Sequence, residues 1–427
     1  MNKPSAPLPG QTATPSVLGG TMIVAGTVIG AGMLTLPIIA AGMWTGWTLA
    51  VLVLSFFMMR ASALMILRAN LRYRPGASFD TVVRDTLGRG WNLLNGLSVG
   101  FVLYMLMYAY TSGGGATLQH SLGLPWPQGL VSLGFGVLLA CCIFWSTRAV
   151  DRLSVILMAG MVLAFVVALS GMLPAFQWDR LLNPPTSTEP VDTLPKVAYL
   201  LATLPYFLTS FCFHASVPSL VKYYGPDQPR IARCIFYGLL IAALFYAVWI
   251  LIGFGVLGRD GLQSVYAQGG NISHYLAAVE SVQAGAWLGP VVSIFAFLAV
   301  VTSFLGAGLG LFDYIADVCG FDDRLLGRVK TALVAFAPPV LAGTFFPDGF
   351  IMAIGFAGFA AAIWSVIIPA LMDWKHARAV TQDQTRLLSF GARAQRLLIG
   401  VVLVYGVLAA GFHLLSPDVL DILPVYR

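Results

Sequence analysis

Charged side chains are scarce in this chain. Asp, Glu, Lys and Arg make up 10% of its 427 residues, 58% are hydrophobic, and the mean hydropathy is +0.83. No water-soluble core is that apolar throughout. Cysteine is also sparse: Cys141, Cys142, Cys212, Cys234 and Cys319 form no Cys-x-x-Cys pair. None falls in an expected outer loop, so neither a structural disulfide nor a zinc site is expected. No Gly-rich phosphate loop ending in Gly-Lys-Ser/Thr is present, which argues against ATP-driven chemistry. Residues 1–16 are rich in Pro, Ser and Thr with one Lys, and the apolar run after them is too long for a signal-peptide core. The first apolar segment is therefore expected to double as the targeting signal.

The few charges leave long gaps. Residues 4–59, 90–147, 153–178, 197–221, 234–258, 281–312, 331–347, 349–372 and 397–417 contain no Asp, Glu, Lys or Arg. A bilayer crossing needs about 20 apolar residues. The two longest gaps hold two crossings each and the others one, which gives eleven spans. The gap at 331–347 is short and holds Pro338-Pro339, and Lys330 would snorkel to lengthen it. With the N-terminus inside, all but four of the 24 Lys and Arg residues fall on the inner side, the exceptions being Arg180, Lys196, Arg259 and Arg427. The acidic residues divide almost evenly. This is the positive-inside asymmetry; it accounts for the net charge of +6 without a nucleic-acid partner and puts the C-terminus outside.

The organisation expected is an inner tail at 1–15, a first five-helix unit at 16–173, a Pro-rich outer loop at 174–194, a second five-helix unit at 195–372, a polar inner linker at 373–392, and an eleventh helix with the outer C-terminus at 393–427. Residues 69–90, with Ser78-Phe79-Asp80 before Thr81-Val82-Val83, are expected to form an amphipathic inner helix lying on the membrane. An outer helix at 271–283, capped by Asn271 or Ser273, would lid the centre.

Two spans are interrupted, each the first of its unit. Span one carries Gly26-Thr27-Val28-Ile29-Gly30-Ala31-Gly32, and span six carries Phe211-Cys212-Phe213-His214-Ala215-Ser216-Val217-Pro218. Lipid cannot satisfy freed backbone groups, so such breaks survive where they line a cavity or hold a polar ligand. Paired breaks in corresponding places point to the binding site of a secondary transporter. At the first break, glycines let a ligand approach the backbone, and the N–H groups opening the next half-helix favour an anion such as an amino acid carboxylate. The competing reading is close helix packing through Gly26-xxx-Gly30. At the second, Pro218 disrupts the preceding turn and leaves the carbonyls of Phe211 to His214 to accept from an ammonium group. His214 is read as the one histidine deep in a span, where ionisable groups are costly and usually functional. Tyr104 and Tyr108 share a face of span three and would suit an aromatic substrate if they face the centre; belt or core packing is the alternative. A channel would need a polar lining that the nearly charge-free spans lack. An enzyme would need a catalytic pair, and His214 with Ser216 does not share a helical face.

Several strings resemble the hydroxy/aromatic amino acid permeases. Gly26 to Met33 ending at Leu36-Pro37 is similar to their first span, Phe213 to Leu220 to their sixth, and Thr302-Ser303-Phe304-Leu305-Gly306 with Gly310 to Asp317 to their eighth. Ser78-Phe79-Asp80-Thr81, Gly90-Trp91-Asn92, Pro218 to Gly225, Phe321-Asp322-Asp323 and Phe336-Ala337-Pro338-Pro339 are closest to the bacterial tryptophan permeases. The resemblance implies an all-α membrane protein with a LeuT-like 5+5 inverted repeat plus one helix, in the bacterial inner membrane. It implies import of an aromatic amino acid, most readily L-tryptophan, with tyrosine/phenylalanine transport as the alternative. No cofactor, enzyme activity, nucleic acid or obligate protein partner is expected; lipid and substrate are the partners. The substrate set is Gly26, Thr27, Ile29, Gly30, Ala31, Gly32, Tyr104, Tyr108, Phe211, Phe213, His214, Ala215 and Ser216.

The coupling ion stays open. The family implies a proton, with His214 as the deep titratable group. Yet a lysine found in mid-span five of such permeases is Met161 here, and Ala299-Val300-Val301-Thr302-Ser303 resembles a sodium-binding edge, with the Ala299 carbonyl and the Thr302 and Ser303 hydroxyls as ligands. The alternative there is that Thr302 and Ser303 bond back to their own helix.

Overall fold

The computed structural model describes residues 16–74, 77–145, 147–182, 193–282, 287–383 and 390–416, with Val419, Leu420 and Ile422. The inner tail, most of the outer loop and part of the linker before the last helix lie outside the described residues. Among the described residues every regular element is helical. Among these residues ten helices are long and apolar enough to cross a bilayer, and the bent pair Val17–Val28 and Ala31–Ala40, taken as one span, makes an eleventh.

In chain order, span one is that bent pair and span two is Trp44–Asn70. Spans three, four and five are Arg89–Leu122, Gln128–Trp145 and Thr147–Met172. Span six joins Thr193–Ser210 to Val217–Tyr224 through a short turn at His214–Ser216. Spans seven, eight and nine are Gln228–Ala267, Leu288–Cys319 and Leu325–Phe345. Span ten runs from Phe350–Ala361 through a π-turn at Ala362–Ile367 into Ile368–Asp383, and span eleven is Phe390–Leu414. The expected inner linker from 373 is thus helical as far as Asp383. Ser78 caps the short helix Phe79–Leu87 by accepting from the Thr81 N–H.

Burial sorts the spans. In the most apolar window of each, 72% of span ten and 67% of span eight is buried, against 17% of span five. Spans eight and ten are therefore central, while span five turns Val155, Ile156 and Leu163 outward. Because lipid is as apolar as a leucine side chain, close packing rather than dehydration must hold the spans together. Span three supplies it with Gly113-Gly114-Gly115, where any Cβ would collide with Phe350, Phe135 or Ser132.

Span nine contains both Pro338 and Pro339 yet stays helical from Leu325 to Phe345. Proline removes one helical N–H and orphans the carbonyl four residues earlier. For Pro338 that carbonyl belongs to Val334, and the Tyr104 hydroxyl donates to it at 2.8 Å. The following loop is pinned as well. Tyr108 donates to the Phe346 carbonyl at 2.9 Å. The Pro347 carbonyl accepts from Ser112, from Gln128 at 2.8 Å and from Asn271 at 3.2 Å.

At the opposite end, Asp373 of span ten is buried and takes a two-pronged bond from Arg68 of span two, at 2.7 and 3.2 Å, with Gln395 at 3.3 Å. A buried carboxylate needs such partners.

Candidate substrate and coupling site

The first half of span one begins at Ser16, whose hydroxyl accepts from the Gly19 N–H. It stops at Val28. Ile29 still donates to the Ala25 carbonyl at 2.8 Å, but Gly30 is extended and a tight turn restarts at Ala31. The two halves meet at 47°. The reason for glycine is on the neighbouring span: a Cβ at Gly30 would overlap the Ser303 hydroxyl. That hydroxyl accepts from the Ala31 N–H at 2.9 Å. The leading donor of the second half-helix, where the sequence expects a carboxylate, is thus capped by span eight. Gly26 makes room for Met158 of span five, and Gly32 lies against Ser210 of span six.

Span six breaks after Ser210. Phe211 and Cys212 still donate back into the helix, to Phe207 at 3.2 Å and Thr209 at 3.0 Å. The Phe213 carbonyl accepts from Ser216 at 2.8 Å, and the His214 carbonyl from the Val217 N–H. Of the four carbonyls expected to be vacant between Phe211 and His214, two are therefore already engaged by the turn. Pro218 sits in the first turn of the second half-helix, where its missing N–H costs nothing. The breaks approach each other: the Thr27 and Ser216 hydroxyls are 3.4 Å apart, and Thr27 and Ala215 are exposed while Ile29, Gly30, Ala31, Phe211, Phe213 and His214 are buried.

His214 is 1% exposed, and neither ring nitrogen has a hydrogen-bond partner of good geometry. Its ring lies edge-on to Trp364, 6.2 Å between centroids, and beside Phe213 at 5.1 Å. Trp364 belongs to the π-turn of span ten, and its indole N–H is likewise buried and unpartnered. π-turns widen a helix locally and recur at functional places. No sequence signal marks this one.

The structure corrects the expectation for span three. Tyr104 and Tyr108 do not face the breaks; their hydroxyls serve carbonyls of span nine and its following loop, as described above. The tyrosine of span three that reaches the centre is Tyr110, two residues on, whose hydroxyl lies beside Ser303. His214 is not the one buried histidine among the described residues: His413, one residue from the end of span eleven, is 0% exposed, packed on Phe356 and Phe359, with both nitrogens unpartnered. The Thr302 hydroxyl does turn back on its own helix, 2.9 Å from the Leu298 carbonyl and 3.2 Å from that of Ala299, whereas Ser303 reaches across to span one. Met161, in the place of the family lysine, is buried.

A centre the sequence did not mark is Tyr246 of span seven. It is fully buried, and its hydroxyl oxygen lies 2.7 Å from both the Val28 and the Ser210 carbonyls.

Outside the spans, the short helix Ile272–Val282 sits where an outer lid was expected, its start capped by the Asn271 side chain. His120 pairs with Glu280 at 3.2 Å across to span three. Burial pushes the His274 imidazole below its ordinary value, against the upward pull of Asp348 and with a further downward push from His120.

The family model for tryptophan/tyrosine permeases matches residues 13–413. The chain belongs to the tryptophan/tyrosine permease family. This permease is 47% identical to a tryptophan-specific transport protein of Pseudomonas aeruginosa (strain UCBPP-PA14), over 99% of its own length and all of that protein's. It is 43% identical to a protein of the same description from Shigella flexneri, over 97% and 98% of the two chains. A tyrosine permease of Enterobacter agglomerans is 37% identical, over 97% and 98%. Among solved structures, a variant of the Eremococcus coleocola manganese transporter superposes with a TM-score of 0.63 at 12% identity, covering 99% of the permease and 93% of the transporter. At that identity the likeness is one of fold alone. The permease is a multi-pass membrane transport protein and not an enzyme.

Proposed function

We propose that the permease imports L-tryptophan by proton symport across the bacterial inner membrane, with its N-terminus inside and C-terminus outside. The substrate assignment is supported by the relatives described as tryptophan-specific transport proteins, which match nearly end to end at 43–47% identity. Tyrosine and phenylalanine are the alternative cargo, since a tyrosine permease also matches. The amino acid would bind where spans one and six are broken. Gly26, Thr27, Ile29, Gly30, Ala31 and Gly32 would hold the carboxylate end, and Phe211, Phe213, Ala215 and Ser216 the opposite wall, joined by Tyr110. Binding would displace the Ser303 hydroxyl from the Ala31 N–H.

The observation that carries the proton reading is His214: an ionisable ring in the break of span six, buried, with no charged group as a partner and only the Met59 backbone as a polar neighbour. A neutral imidazole there is tolerable, whereas a protonated one needs a partner. Loading a proton together with the substrate and its carboxylate would balance the charge. The rival is sodium at Ala299, Thr302 and Ser303, favoured by Met161, which brings no built-in cation.

One experiment separates them. Vesicles receive either an inward pH gradient without sodium or an inward sodium gradient at equal pH, with membrane potential clamped. Uphill uptake of labelled tryptophan under the pH gradient alone is expected, and lost in His214→Gln. Uptake under sodium alone overturns the proton reading. Displacement by alanine or lysine better than by any aromatic amino acid overturns the substrate assignment.

A further inference from the structure

We propose that Tyr246 is the positioning residue that couples the two broken spans, its single hydroxyl proton being shared between the carbonyls that end the first halves of spans one and six. It rests on the reading that the breaks are the moving, substrate-holding parts of the permease.

The argument begins with the accounting of backbone groups. In an unbroken helix the Val28 carbonyl would accept from residue 32 and the Ser210 carbonyl from residue 214. Both helices stop at these residues, so both carbonyls lose their donors in a place where water is scarce. The negative ends of two half-helix dipoles thereby converge on one spot. Tyr246 fills it from span seven, with O···O distances of 2.7 Å to each carbonyl. A phenol has one proton and donates fully to one acceptor at a time. The bond is therefore three-centred, and either carbonyl can leave while the other keeps the proton.

That property distinguishes a coupling element from a rivet. A rivet would oppose any movement of either half-helix. A shared proton lets one half-helix tilt away while the donor stays satisfied, and the carbonyl left behind draws the proton toward itself. Tilting of span one is thereby felt by span six, although the two backbones make no direct bond at this point. The ring is held in register by edge-on packing with Phe211 at 5.1 Å, in the break itself. On the other side Ser303, with Tyr110 beside it, accepts from the Ala31 N–H that opens the second half of span one. Both ends of that break are thus held by side-chain hydroxyls from different spans, Tyr246 of span seven and Ser303 of span eight.

The test uses Tyr246→Phe, which keeps the ring and deletes the proton. In vesicles with reconstituted full-length protein, turnover of tryptophan uptake should fall about tenfold or more, while equilibrium binding of tryptophan stays within about threefold. Loss of binding in parallel with turnover overturns the coupling role, and unchanged turnover overturns it too. Hydrogen–deuterium exchange of the unaltered protein gives a second readout that does not depend on the variant folding. Addition of tryptophan should change protection of residues 28–33 and 210–216 together. A change at one break with none at the other overturns the proposal. If the unaltered protein binds no tryptophan, the substrate assignment fails instead, and exchange is then measured with tyrosine.

Discussion

The Tyr104 hydroxyl donates to the Val334 carbonyl, the one acceptor that Pro338 strips of its helical donor. A side chain of span three thus completes the backbone of span nine. Tyr104→Phe should lower the melting midpoint, by an amount corresponding to about 1 kcal/mol for the lost hydrogen bond, without altering the ranking of aromatic substrates. In a Pro338→Ala background the restored N–H supplies the donor, so the same substitution should cost measurably less. A double-mutant cycle of detergent-solubilised protein checks this, and additivity would show that the two groups do not serve one carbonyl.

Gly30 and Ser303 form a second such pair. Gly30→Val should leave the protein inserted and abolish uptake, because the added side chain evicts the Ser303 hydroxyl and stiffens the break. Gly30→Ala should be milder. Pairing it with Ser303→Gly should restore part of the lost abundance by making room, but not the uptake, since the Ala31 N–H would lose its cap. Immunoblots of membranes and uptake assays separate the two effects.

Arg68 and Asp373 anchor the other end of the core. Arg68→Ala strands a carboxylate that is 3% exposed, and removing one partner of a buried pair costs about 3–5 kcal/mol. Arg68 is itself partly exposed, so the lower end is expected. Asp373→Asn in the same chain should recover part of the loss, because a neutral amide needs no counter-ion. Thermal unfolding of the three variants measures it.

The short helix Ile272–Val282 should respond to acid. Burial dominates at His274 and holds its imidazole below the ordinary value. Over the window between that lowered value and the ordinary one, the unfolded segment binds more protons than the folded one. Stability of the helix should therefore fall as the pH drops through the window and be fully present above it. Hydrogen exchange of residues 272–282 should quicken on acidification, and His274→Gln should flatten that response.

The span count was legible because an unpaired charge is excluded from lipid residue by residue, so gaps between charges report crossings directly. The breaks were legible because glycine and proline act on their own backbone. The orientation of span three was not. Tyr104, Tyr108 and Tyr110 differ by a few residues, and what decides among them is Pro338, about 230 positions away. Ser303 was visible as a polar residue of span eight, but its target, the Ala31 N–H, depends on how closely the backbones approach. His413 lies near the end of its helix, and its burial depends on Phe356 and Phe359, which close over it from span ten. Tyr246 sits in an unbroken apolar run in which nothing local calls for a hydroxyl; its reason is two carbonyls on other spans.

The loop between spans nine and ten has a consequence for how the molecule can move. One oxygen, on Pro347, serves side chains from span three, span four and the outer helix, while the neighbouring Phe346 oxygen serves Tyr108. Lifting that loop would strand several donors in a single step, so it has no cheap partial displacement. Spans three, four and nine are expected to act as a stator, with alternating access carried by rotor elements that lack such a fastening. The half-helices of spans one and six meet that description, since at their breaks isolated contacts, the shared Tyr246 proton and the Ser303–Ala31 bond, take the place of a many-stranded knot.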